Sequence, residues 1–216
     1  MKGTTKGPAP KVLIEWWAAN SSNPPPAWEA LQNPEKQAVL LALLEEQKFV
    51  CVYCGATIST DWGSTHIEHF WPRSKFPALR FDWPNLLASC GPPTTKRQPR
   101  TCGAAKDNWV PANYVDPSDP DCEHKFAYDG LGQIIPSALG GMRATVMIDR
   151  LKLDDASLEY QRRQIIAELE KQIGCGTINA MTVAKEIRSW REPDASGHLR
   201  EFGHVAARYL EDEPIS

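Results

Sequence analysis

No stretch of this 216-residue chain stays apolar for anything near the roughly 20 residues that a bilayer-spanning helix needs. Its opening run, Met1-Lys2-Gly3-Thr4-Thr5-Lys6-Gly7-Pro8, also lacks the apolar stretch of a secretory signal. A cytoplasmic protein with no membrane partner is the expectation. No internal repeat and no extended low-complexity tract is present, which sets aside solenoid and fibrous architectures. A large excess of charge of either sign is absent too, with 24 Lys and Arg against 27 Asp and Glu. The net charge is −3, a weak argument against nucleic acid when the chain is taken whole.

What is present is concentrated. His66 to Val110 holds seven basic residues (Arg73, Lys75, Arg80, Lys96, Arg97, Arg100, Lys106) against three acidic ones (Glu68, Asp82, Asp107). That segment is +4 while the remainder is −7. A local basic surface on an acidic chain suits a polyanion site flanked by protein-binding regions. Arg73, Lys75, Lys96, Arg97 and Arg100 are the candidate nucleic-acid contacts; a solvated basic loop is the plainer alternative.

Six cysteines in a reducing compartment point to metal rather than to disulfides. Cys51-Val-Tyr-Cys54-Gly55 is a zinc half-site: two thiolates reach one ion from a tight turn, with Gly55 letting the backbone reverse. Cys90 and Cys102 form the expected second pair, with residues 91–100 thrown out between them as a loop. A structural Zn2+ held by Cys51, Cys54, Cys90 and Cys102 is predicted. An alternative set takes Cys122 and His124 in place of Cys90. Cys175, between Gly174 and Gly176, reads as a small residue at a helix junction.

Periodicity and turn residues divide the chain into an N-terminal arm with helices (1–48), a central region (49–116) and a loop-rich connection with a helical tail (117–216). Residues 1–10 read as disordered. Helices are expected over Lys11–Ala19 and from an Asn33 cap with Pro34 in the first turn to about Phe49. The pattern then predicts a strand over Ser64–Trp71, a helix starting at Gly103 or Ala104, loops from Asn113 to Gly132, and helices over Thr145–Leu151, Asp154–Ile173, Thr177–Trp190 and Gly197–Leu210. Trp71, Trp83 and Trp109 read as core fillers more readily than as base-stacking platforms, and no function attaches to His198 or His204.

The densest chemistry lies in His66-Ile-Glu68-His69-Phe-Trp-Pro72. Acid, base and metal-ligand chemistry all become possible inside this one short stretch. His69 suits the base, because imidazole titrates near neutrality. Glu68 is a hard oxygen donor suited to Mg2+ or Mn2+. Adjacent residues of a regular strand point to opposite faces, so both serve one site only if the strand is distorted there. His66 shares the Glu68 face as a ligand or as a supporting group. Lys106 and Arg73 are candidate phosphate contacts.

The order Cys-x-x-Cys, Glu68-His69-x-x-Pro72, Asn85-Leu86, Cys90, Cys102-x-x-x-Lys106 resembles the HNH endonuclease family. The phrases His66–Lys75 and Phe81–Leu87, with the weaker Ile148–Leu153 pattern, are most similar to the PtuB family, the HNH subunit of Septu-type anti-phage systems, including retron-associated ones. The likeness spans roughly residues 48–165. It implies a mainly α, irregular α+β fold around a small ββα-metal core stapled by a four-cysteine zinc knuckle. It further implies a metal-dependent endonuclease, most readily on DNA, acting as effector beside an ATPase subunit of the PtuA type. Asn85 would tie the loop that orients the base. One position departs from the pattern: Gly103 occupies the slot of the last metal ligand and brings no donor. Asp107, Asn108 or His66 would have to complete the site. A stand-alone restriction-type nuclease and a non-catalytic zinc-stabilised binding module are the competing expectations.

Overall fold

The computed structural model describes residues 1–91 and 100–215. It is a mixed α+β structure, with seven α-helices and two two-stranded sheets among the described residues. Among them no helix is long and apolar enough to cross a membrane. The candidate contacts Lys96 and Arg97 lie outside the described residues.

Helix α1 (Lys11–Asn20) packs on α2 (Glu35–Glu46). α2 buries Val39, Leu40, Leu43 and Leu44, which share one face at helical spacing. It stops before the expected Phe49, because Lys48 and Phe49 adopt left-handed backbone (φ 55° and 62°). Asn33 does not cap it, and Pro34 holds the N-cap position. Gln47, just past the helix, is buried and donates to the carbonyls of Val50 and Ala88 while accepting from the Ala88 N–H at 2.7 Å. This fastens α2 to the strand that carries Ala88.

That strand is β2 (Leu86–Cys90), antiparallel to β1 (Thr65–His69), with Thr65 opposite Cys90 and His69 opposite Leu86. A short helix, α3 (Cys102–Lys106), follows and packs on β2. A second hairpin, β3 (Phe126–Tyr128) and β4 (Ile134–Pro136), turns at Asp129, whose carboxylate accepts from the Leu131 and Gln133 N–H groups. This hairpin lies across a region expected to be mostly loop; its strands are too short to carry an alternation signal.

The tail holds α4 (Gly141–Leu151), α5 (Ala156–Gly174), α6 (Val183–Arg191) and α7 (Gly203–Asp212). The last two begin later than the sequence pattern predicts. Asn179 accepts from the Met181 N–H, and Asp194 from the Ser196 and His198 N–H groups. Such side-chain turns compete with helix at just those positions.

The first ten residues correct the expectation of disorder. Met1 is fully buried, and the N–H groups of Lys2, Gly3 and Thr4 donate to the carbonyls of Tyr53, Val52 and Pro117 at 2.7–3.0 Å. Lys6 pairs with Glu46 at 2.5 Å and lies 4.0 Å over the Trp83 ring. A Gly/Thr/Lys/Pro composition carries no local signal for such long-range pairing.

Candidate functional site

The Cys51–Cys54 turn, the end of β2 and the start of α3 converge. The Cys51, Cys54, Cys90 and Cys102 sulfurs all lie within 4.8 Å of one another, with Cys54 and Cys90 4.0 Å apart. A tetrahedral ion with bonds of about 2.3 Å asks for sulfurs about 3.8 Å apart. The four thiols fit zinc. Burial opposes ionisation of Cys51, yet its neighbours Cys102, Cys54 and Cys90 draw its thiol well below the ordinary range. Cys102 is pushed up by burial and by its hydrogen bond with Cys51. Cys122 and His124 belong elsewhere: Cys122 is buried beside Gly3, and His124 lies near Glu211.

Gly55 (φ 79°) makes the turn possible and is also too crowded for a side chain. A Cβ there would strike the His204 imidazole. His204 is buried, bonds the Tyr128 hydroxyl at 3.1 Å and is held neutral, its pKa driven well below the usual value by burial and by nearby positive charge.

On the other side of Cys102 opens a cleft of about 460 Å³, lined by Trp28, Lys36, Trp62, His66, Glu68, His69, Arg73, Gly103, Asp107 and Asn108 among others. Glu68 and His69 both line it, although they are adjacent. β1 ends at His69, its last rung, opposite Leu86.

His69 Nε2 lies 3.0 Å from the Arg80 carbonyl oxygen. A carbonyl only accepts, so Nε2 carries the hydrogen and the Nδ1 lone pair is left for a proton. Burial lowers the His69 pKa to about 4, against a smaller upward pull from the Arg80 carbonyl, so the ring is neutral at pH 7. The Trp28 ring meets the imidazole edge-on, with centroids 4.5 Å apart. Asn85 accepts from the Trp71 N–H at 2.7 Å and donates to the Trp71 and Leu79 carbonyls. It thereby closes the loop whose Arg80 carbonyl holds His69.

Glu68 is engaged at both oxygens. His66 Nε2 is 3.2 Å from Oε2, and Lys106 Nζ is 2.8 Å from Oε1. The second contact is an ion pair without hydrogen-bond alignment, and Oε1 has no hydrogen-bond partner among the described residues; neither does His66 Nδ1. The sequence suggests Lys106 as a phosphate contact. Its side chain is fully buried and its ammonium faces Glu68 instead. Gly103 fills the remaining wall: a Cβ there would sit 2.7 Å from both Glu68 Oε2 and His66 Nε2. His66 occupies the space a side chain at 103 would need.

Asp107 and Asn108 line the same cleft, with Asn108 accepting from the Ser74 hydroxyl at 2.7 Å. Arg73 also lines it and pairs with Glu29 at 2.8 Å. Lys75 and Arg100 are exposed and do not line it. Sequence reasoning missed Trp28, Lys36 and Trp62. The first two come from the N-terminal arm, and nothing local marks them as neighbours of His69.

No protein-family model matches this chain. It is 39% identical over 66 residues to the Septu protein PtuB of Bacillus thuringiensis, an alignment covering 29% of this chain and 26% of that protein. The chain is thus similar to a Septu component over a limited segment.

Proposed function

We propose that this chain is a metal-dependent HNH-type endonuclease that hydrolyses phosphodiester bonds, DNA first, as the effector subunit of a Septu-type anti-phage complex with a PtuA-type ATPase. The observation that carries the reading is the pairing in one cleft of a neutral imidazole with its Nε2 committed to the Arg80 carbonyl and a carboxylate next to it in sequence. In this reading His69 Nδ1 takes the proton from the attacking water. Asn85 keeps the Arg80 carbonyl, and with it the imidazole, in place. Glu68 and His66 would hold a divalent cation, Mg2+ or Mn2+; the hard Glu68 oxygen is the donor these ions prefer, and His66 Nε2 lies 3.2 Å from it as a second ligand. That ion would supply charge stabilisation at the scissile phosphate. Asp107 and Asn108 stand at the cleft wall as further candidate donors. The four cysteines would hold a structural Zn2+ that fixes the start of α3, and Arg73, Lys75 and Arg100 would offer charge to nucleic acid.

A second reading, a zinc-stabilised binding module without catalysis, is favoured by Gly103, which brings no donor, and by Lys106, which already neutralises Glu68. Plasmid nicking separates the two. The full chain, alone and with its ATPase partner, should nick supercoiled DNA in Mg2+ or Mn2+ and stop with EDTA. His69→Ala should lower the rate about 10²- to 10⁴-fold while keeping fold and zinc. Indistinguishable nicking by parent and His69→Ala removes the nuclease reading. Nicking at full rate without any ATPase partner would favour a stand-alone, restriction-type enzyme.

A further inference from the structure

The charged groups of the cleft are unequally committed. Arg73 is paired with Glu29, and Glu68 with Lys106, which is fully buried and does not itself line the cleft. Lys36, in the first turn of α2, is held differently: its ammonium lies 5.9 Å from the Trp28 ring centroid and 5.5 Å from that of Trp62. Both distances approach the outer limit of about 6 Å for cation–π attraction. Lys6 shows the contrast, being 4.0 Å over Trp83 and 2.5 Å from Glu46. The exposed Glu29 carboxylate, paired with Arg73, also feels the Lys36 charge, but Lys36 forms no salt bridge among the described residues and leaves its ammonium donors for an incoming anion.

The neighbours make the position specific. Trp28 has the Lys36 ammonium 5.9 Å from its ring centroid and packs T-shaped against the His69 imidazole, and all three line the cleft. Trp62 is half-buried and lines the cleft from the turn before β1. That turn is anchored: Gln37 of α2 donates to the Thr60 carbonyl at 3.1 Å, and the Ser64 and Thr65 N–H groups donate to the Asp61 carbonyl at 3.0 Å. An indole on an anchored turn beside a loosely held ammonium, in a cleft of about 460 Å³, matches the needs of one nucleotide.

We propose that Lys36 and Trp62 form a nucleotide-binding wall of the cleft, Lys36 taking a backbone phosphate and Trp62 stacking an unpaired base. The occupant is then a single-stranded or locally unpaired segment, because a base inside a duplex offers no free face to an indole. The proposal takes nucleic acid as substrate from the nuclease reading and requires no catalysis for its test.

Fluorescence anisotropy on the His69→Ala chain, with a labelled single-stranded DNA 12-mer and its duplex over a salt series, supplies the measurement. Lys36→Gln should weaken single-strand binding about fivefold and reduce the salt slope by about 0.7, with Lys36→Arg restoring both. Trp62→Ala should cost about tenfold on the single strand and little on the duplex, while Trp62→Phe keeps most of the affinity. Unchanged affinity and slope in Lys36→Gln and Trp62→Ala overturn the wall, as does a parent that binds neither probe. Losses equal on both probes overturn the unpaired base. His69-dependent nicking with unchanged binding sinks the wall alone. Weakened binding with His69-independent nicking sinks the nuclease reading and leaves the wall standing.

Discussion

Cys102 and Gly103 are consecutive, yet the spaces on their two sides are built on opposite lines. Towards Cys102, four sulfurs from three chain segments converge within 4.8 Å, so every donor a tetrahedral ion asks for comes from the protein. Towards Gly103, only His66 and Glu68 meet, in an open cleft, and Lys106 balances the carboxylate. Closed donor sets hold structure; open ones leave room for water and substrate. The two are coupled through Ser89, which accepts the Gly103 N–H at 3.1 Å and lies 3.7 Å from Cys51 Sγ. The closed side thus sets the geometry of the open one.

Removing the closed side should have the largest effect. Cys102→Ser, or stripping zinc with a chelator, should lower the melting temperature by roughly 10 °C or more, since a structural ion contributes directly to folding. A melting curve indifferent to zinc, with no zinc in the purified protein by elemental analysis, would erase the contrast between the two sides.

Lys106→Met comes next. It leaves Glu68 buried without its cation, a change worth about 3–5 kcal/mol when one partner of a buried pair is removed. Urea denaturation measures it, and a stability equal to the parent's would mean that the pair contributes nothing to the open side.

Gly103→Ala sharpens the comparison further. The added Cβ meets Glu68 Oε2 and His66 Nε2 at 2.7 Å, an overpacking expected to cost about 1–3 kcal/mol. His66→Ala should relieve part of that cost in the double variant, read as a coupling energy, with the Glu68 contact remaining. Additive losses would show that His66 does not fill the space facing position 103.

The smallest effect concerns the backing of the knuckle. His204 is neutral when folded, with its pKa well below the ordinary value of about 6.5, through burial and the positive charges of the amino terminus, Lys2 and Arg162. Its folded pKa is depressed, so the stability tied to it is present above about pH 6.5 and is lost as pH falls towards the folded value. His204→Gln should flatten that acid limb of the denaturation profile; an unchanged limb would assign the loss to other groups.

By itself, the amino-acid sequence determined the local features of this protein. The Cys51–Cys54 turn, the β1 alternation that puts His66 beside Glu68, and the α2 face of Val39, Leu40, Leu43 and Leu44 all follow from spacing within a few residues. Only the tertiary structure decided the rest. It buried the first residues against Tyr53, Val52 and Pro117, brought Trp28 and Lys36 of the arm to His69, and turned Lys106 onto Glu68. These pairings join residues 30 or more positions apart. They rest on burial, aromatic contact and charge neutralisation across the fold, and such interactions leave no period in the chain for a local pattern to reveal.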